Sequence, residues 1–137
     1  MSERTYQVLV VEDEPALRLL TMCELSRRGF ACDAARDGMH ALELATQKHY
    51  DAVVSDFRMP RMSGHSLAIE LLGREDRPVI VLLTGVMEPS QAVELIAGGV
   101  DDILFKPFDH GLLAAKLRAL VERRAALSAS GACRGRG

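Results

Sequence analysis

The chain has 137 residues, 48% of them apolar, and a net charge of −2. That is enough for one domain with its own core and too apolar for a chain disordered over most of its length. Acidic and basic residues are interspersed, which argues against the basic footprint of a nucleic-acid binder, and no run approaches the ~20 apolar residues of a membrane span. Three cysteines, Cys23, Cys32 and Cys133, are odd in number and lack metal spacing. With an N-terminus that has no signal-peptide stretch, they predict reduced thiols in a soluble, cytoplasmic protein.

Strand-like and helix-like segments alternate five times, the pattern of a parallel α/β sheet. Val8–Val11 is a continuous apolar run, as a strand buried on both faces should be. Glu12-Asp13-Glu14 and Pro15 then open a helix, where acidic residues suit the positive dipole end and proline suits the first turn. Ala16, Leu20 and Cys23 recur on it at helical spacing, and Gly29 predicts its stop. Ala31–Ala35 is the weakest strand signal; Asp37-Gly38 is a turn, and Ala41, Leu42 and Ala45 mark a second helical face. Asp51–Ser55 reads as the third strand, followed by a loop with Pro60 and Gly64 and a helix carrying Ala68, Leu71 and Leu72. The fourth strand starts after Pro78 and ends at Thr84-Gly85; Ala92, Leu95 and Ile96 mark a fourth helix, stopped by Gly98-Gly99. A short fifth strand ends at Lys106-Pro107, and Leu113, Leu117, Leu120 and Val121 line the last helix. The domain is expected over 5–124, and the Ser-, Ala-, Gly- and Arg-rich end, 125–137, as a disordered tail.

Five polar residues stand just beyond or at the ends of the apolar runs: Glu12, Asp13, Asp56, Thr84 and Lys106. In an open parallel sheet all the carboxyl ends lie along one edge, where such folds place their ligand crevice. Three carboxylates, a hydroxyl and an ammonium would meet there. Mg²⁺ takes hard oxygen ligands, commonly one or two carboxylates with waters and phosphate oxygens; Asp13 and Asp56 could supply the carboxylates and Glu12 could act through water. An aspartate carboxylate can also attack phosphorus, giving an aspartyl-phosphate. A metal and an ammonium lower the cost of bringing one anion to another. The histidines, His40, His49, His65 and His110, have no mutual catalytic or metal spacing and read as surface residues.

Four stretches resemble the receiver domain of two-component response regulators, the CheY-like superfamily: Val8–Pro15, Asp56-Phe57-Arg58-Met59-Pro60 with Gly64, Leu83-Thr84-Gly85, and Asp101–Phe108. The likeness runs from about Gln7 to Val121. It implies a flavodoxin-like (βα)5 fold, a doubly wound five-stranded parallel sheet with flanking helices. It implies that Asp56 accepts a phosphoryl group from a sensor histidine kinase or a histidine phosphotransfer protein. Mg²⁺, with Mn²⁺ as a substitute, would be held by Asp13, Asp56, Glu12 and the backbone carbonyl of Arg58. Lys106 would pair with the phosphoryl group, Thr84 would swing toward it, and the Lys106–Pro107 bond would be cis. The protein would then be a phosphorylation-controlled switch rather than an enzyme. Its output face would be the fourth helix, fifth strand and fifth helix, open to an output domain, a partner or a second copy.

The chain departs from the family pattern at Glu12, where Asp is more frequent, at Gly85, where Ala is usual, and at Ile103, where an aromatic ring commonly reports activation. Arg58 adds a long cation near the pocket. A phosphorelay shuttle is an alternative role. A Mg²⁺-dependent aspartyl-phosphate phosphatase fits less well: its nucleophile belongs on the first strand with an Asp two residues later, where this chain has Arg58. A dinucleotide site fits poorly too, because Glu12-Asp13-Glu14-Pro15 is acidic and glycine-free.

Overall fold

A computed structural model describes residues 4–134, with side chains as far as Ser128. Strands and helices alternate without exception: β1 (Gln7–Val11), α1 (Pro15–Arg27), β2 (Ala31–Ala35), α2 (Gly38–Gln47), β3 (Ala52–Asp56), α3 (Gly64–Leu72), β4 (Val79–Thr84), α4 (Pro89–Ala97), β5 (Asp102–Phe105) and α5 (His110–Arg134). The strands form one parallel sheet in the order β2-β1-β3-β4-β5. That order reverses direction between β1 and β3, so the helices cover both faces and a crevice opens at the carboxyl ends of those two strands.

The unbroken apolar runs have a direct cause. Val8 and Val10 of β1 point into one core, with Val54, Val81, Leu104, Leu113 and Leu117. Leu9 and Val11 point into the other, with Val53, Ile80, Leu82, Leu67 and Leu71. Successive strand residues face opposite sides, so only a strand covered on both can be apolar throughout. β3 and β4 are buried along their whole length.

One expectation needs correction. On α1 the predicted face of Ala16, Leu20 and Cys23 is exposed; the helix instead buries Thr21 and Leu25. Leucines lie nearly all round this helix, so periodicity does not single out the side that meets the sheet. The last helix runs to Arg134, over part of the span expected as a tail. Ala125, Ala126 and Leu127 are among the strongest helix formers, and a helix already held by packing propagates at little cost. The expected tail's last residues, 135–137, lie outside the described residues.

Candidate functional site

The crevice is built where β1, β3, β4 and β5 end. Glu12 follows β1 directly; its N–H donates to the Ala35 carbonyl (3.1 Å), which extends the ladder by one residue and fixes where the chain turns. Asp56 is the last residue of β3, and its successor Phe57 donates to the Leu83 carbonyl (2.8 Å). Lys106 follows β5, its N–H donating to the Thr84 carbonyl (2.8 Å), and the Lys106–Pro107 peptide is cis.

Glu12, Asp13 and Asp56 each offer a carboxylate oxygen, and these three lie within 4.8 Å of one another. Glu12 and Asp56 are buried while Asp13 is exposed, so the cluster opens to solvent on one side. This hard, anionic oxygen set suits Mg²⁺ and leaves room for waters. The Lys106 ammonium donates to Oδ1 of Asp56, bringing a cation to the other flank of the same carboxylate. Burial pushes the Glu12 carboxyl up to about 7. The Glu14 N–H, which donates to its Oε2 (3.2 Å), holds it down in part, and the Asp56 carboxylate pushes it further up.

A cleft of about 410 Å³ opens over Asp56, lined by Arg58, Leu83, Thr84, Gly85, Val86 and Lys106. Thr84 lies beside it, but its hydroxyl donates to the Val86 carbonyl (3.0 Å), inside the β4–α4 loop. The hydroxyl is therefore already committed to holding that loop. Ile103 packs against the core that contains Leu95 of α4, whereas Phe105, on the same face of β5, is 49% exposed.

The two glycines near Asp56 differ. A Cβ on Gly64 would lie 2.5 Å from the Asp56 carbonyl oxygen and 2.9 Å from the Phe57 Cα, so the β3–α3 loop folds back against Asp56 only because no side chain is present. A Cβ on Gly85 would meet nothing within 4 Å. Gly64→Ala is expected to cost about 1–3 kcal/mol, the usual range for overpacking. Gly85→Ala is expected to leave melting temperature unchanged. Thermal melts of the two variants side by side check both.

The residues singled out from sequence are thus brought to one edge, with Arg58 on the cleft wall. Sequence reasoning missed two further parts. Arg61 adopts a left-handed backbone (φ 70) in the β3–α3 loop, and its Nη1 lies 3.7 Å from Asp37, which caps α2 by accepting from His40 N–H (2.8 Å). Left-handed turns are usually announced by Gly or Asn, and here nothing announces one. Arg18 on α1 donates through Nη1 to the Glu12 carbonyl (2.9 Å), a bond to main chain that leaves no pattern in sequence.

The family model described as the response regulator receiver domain matches residues 8–118. Response regulator MprA of Mycobacterium sp. (strain KMS) is 38% identical over 117 residues, covering 85% of this chain and 51% of that protein. The chain spans about half the length of the curated relatives it matches. Among solved structures, the receiver domain of Francisella response regulator 1452 aligns with a TM-score of 0.82 at 28% identity, over 88% of this chain and 99% of that one. The receiver domain of sensor histidine kinase PA1611 from Pseudomonas aeruginosa PAO1, which has a magnesium ion coordinated in its active site cleft, aligns with a TM-score of 0.77 at 27% identity, over 87% and 99%.

Proposed function

Because the chain belongs to the response regulator receiver family of two-component systems, a signalling module with a histidine kinase upstream, we propose that Asp56 is its phosphoacceptor. The observation that carries this is the convergence of Glu12, Asp13 and Lys106 around the Asp56 carboxylate at the sheet edge. One Asp56 oxygen attacks the donor's phosphorus. A P–O bond forms, the P–N bond to the donor histidine breaks, and its electron pair leaves with the imidazole. Lys106 neutralises the transferring oxygens, and Asp13, Asp56, Glu12 and the Arg58 carbonyl would hold Mg²⁺. The ion, when bound, supplies a second positive centre on the phosphoryl oxygens.

The phosphoryl group is read by Thr84. To donate to it, the hydroxyl must leave the Val86 carbonyl, and the β4–α4 loop loses its tether. This differential contact is what allows phosphorylation to favour a second packing of α4 and β5. With Ile103 in place of a ring, the side chain that reports the change is aliphatic. Thr84→Ala is expected to take up the phosphoryl group yet show no change in amide exchange at residues 85–88 when it does. A phosphorylation-dependent change there in the variant would sink Thr84's role.

The output face is the α4–β5–α5 surface, which exposes Val93, Ile96, Phe105 and Leu112. A homodimer or an output domain would cover it; a shuttle that passes the phosphoryl group onward would leave it bare. Sedimentation with and without a beryllofluoride phosphoryl mimic separates a dimer from a monomer. Among the described residues no helix is long and apolar enough to cross a membrane, and a cytoplasmic location suits a kinase-coupled module.

The test of the central step is chemical. A small acyl-phosphate donor with Mg²⁺ is expected to add one phosphoryl group, about +80 Da, to the wild type and none to Asp56→Asn, read by intact-mass spectrometry. No adduct on the wild type, or an equal one on the variant, rejects Asp56 as acceptor.

A further inference from the structure

The turn between β1 and α1 carries two of the three clustered carboxylates, and Glu12 is tied down at both main-chain polar atoms and at one carboxylate oxygen. The N–H donates to Ala35, Oε2 accepts from the Glu14 N–H, and the carbonyl accepts from Nη1 of Arg18. Arg18 sits in the first turn of α1, its own N–H bonded to the Glu14 carbonyl (2.9 Å), and its half-buried side chain reaches back over the turn.

The partner Arg18 chooses is informative. Glu12, Asp13 and Glu14 are all near it in sequence, yet none of the ion pairs within 4.0 Å among the described residues includes Arg18. A cation placed to balance the acidic cluster would lie on a carboxylate, as Lys106 does on Asp56. Arg18 lies on a carbonyl. Hydrogen bonds from a charged donor are stronger than neutral ones, and this one closes a short loop whose acidic groups repel each other.

We propose that Arg18 is a positioning residue for the cation site: by holding the Glu12 carbonyl it keeps Glu12 and the following Asp13 at the spacing in which they share one ion with Asp56. This rests on the reading of those three carboxylates as the metal ligands. Partners that orient ligands commonly change metal affinity by tenfold or more when removed.

The sign of the effect separates a tether from a charge. As a bare cation, Arg18 repels an incoming Mg²⁺, and removing it tightens binding. As a tether, it preorganises the ligands, and removing it weakens binding. Calorimetric titration of the full chain with MgCl₂, at fixed ionic strength and pH 8, decides between them. Arg18→Met and Arg18→Gln, both straight-chain helix formers without charge, are expected to raise the Mg²⁺ Kd by about tenfold. They should also shrink the rise in melting temperature that Mg²⁺ produces. Arg18→Lys, which keeps a charged donor, is expected to recover most of the affinity.

An unchanged or lower Kd in Arg18→Met, or a fall in metal-free melting temperature with the Mg²⁺ response intact, overturns the proposal. Asp13→Asn tests the underlying reading separately. If it binds Mg²⁺ as tightly as the wild type, or if the wild type gives no binding heat, the ligand assignment fails and the role of Arg18 with it. If Asp13→Asn loses binding while Arg18→Met keeps it, only the role of Arg18 is lost.

Discussion

Replacing Lys106 by Met is expected to slow phosphoryl uptake about 10²–10³-fold, the usual cost of removing one donor that stabilises charge in a transition state, and in the same protein to tighten Mg²⁺ binding. The two effects have opposite signs because Lys106 plays two parts. In the proposed transfer, negative charge spreads over the phosphoryl oxygens beside the Asp56 carboxylate, and the ammonium lies where that charge would develop. Before transfer, the same ammonium occupies Oδ1 of Asp56 and repels a divalent cation approaching the cluster. Removing it frees the carboxylate and removes the repulsion. The metal-free protein should pay in stability: the Asp56 side chain is 10% exposed and that of Lys106 34%. Stranding a carboxylate in so sheltered a place costs about 1–3 kcal/mol, below the figure for a fully buried pair because solvent screens the lysine end. Added Mg²⁺ should restore most of that loss. Time-resolved intact mass with an acyl-phosphate donor, calorimetry with MgCl₂, and melts in both conditions measure the three quantities. A rate within tenfold of the wild type would remove Lys106 from the transfer step.

The same electrostatics make the acidic cluster a liability to the metal-free fold. Three carboxylates within 4.8 Å repel one another, and among the described residues Asp13 has no cationic partner within 4.0 Å. Asp13→Asn is expected to raise metal-free stability by about 1 kcal/mol, the scale of one exposed, screened charge contact, or roughly 3–5 °C for a domain of this size. It should abolish the further rise on adding Mg²⁺. A stabilised but metal-blind variant is what a functional cluster predicts; a structural cluster would lose stability when cut. Thermal melts with and without MgCl₂ distinguish the two.

The strands that place the site were legible because both of their faces are covered: β1, β3 and β4 are apolar at consecutive positions, and turn residues mark where each stops. β2 was faint for the complementary reason. It is an edge strand whose residues are mostly half-buried, so little selects for apolar side chains. Asp56, Thr84 and Lys106 could be found because a parallel sheet sends all its strand ends to one side, and a polar residue after an apolar run is visible in the sequence. What connects them was not visible. Thr84 is held by the Val86 carbonyl and Glu12 by Arg18 through its own carbonyl. Every residue has a carbonyl, so a bond to one imposes no residue type at the accepting position. The α1 face failed differently: Leu17, Leu19 and Leu20 are all more than 40% exposed, so the helix is apolar on the side away from the sheet as well. Periodicity then reports where leucines are, not which of them the core takes.

Mg²⁺ affinity is expected to fall about tenfold between pH 8 and pH 6, with Glu12 as the cause. Burial, with the Asp56 carboxylate beside it, holds the Glu12 carboxyl at about 7, above its ordinary value of 4.5. The sign follows from which state binds the proton. Between pH 4.5 and 7 the folded, metal-free protein takes up a proton that the unfolded chain does not. Glu12 therefore favours folding at low pH, and that contribution is lost as pH rises through about 7. Metal binding has the reverse dependence: a hard cation, whether held directly or through water, needs the carboxylate ionised. Below pH 7 each bound ion must displace a proton from Glu12, so affinity drops by up to a factor of ten per pH unit; above pH 7.5 it levels off. Glu12→Gln separates this from general acid weakening. The variant should bind Mg²⁺ more weakly at pH 8 but with a flat profile between pH 6 and 8, since it lacks the carboxyl that titrates in that window. It should also be the more stable protein at pH 8 without metal, because the buried charge is gone. Calorimetric titrations at pH 6, 7 and 8 on both proteins provide the comparison. A wild-type profile as flat as that of Glu12→Gln would show that Glu12 is already ionised at pH 6 and that its burial does not govern the site.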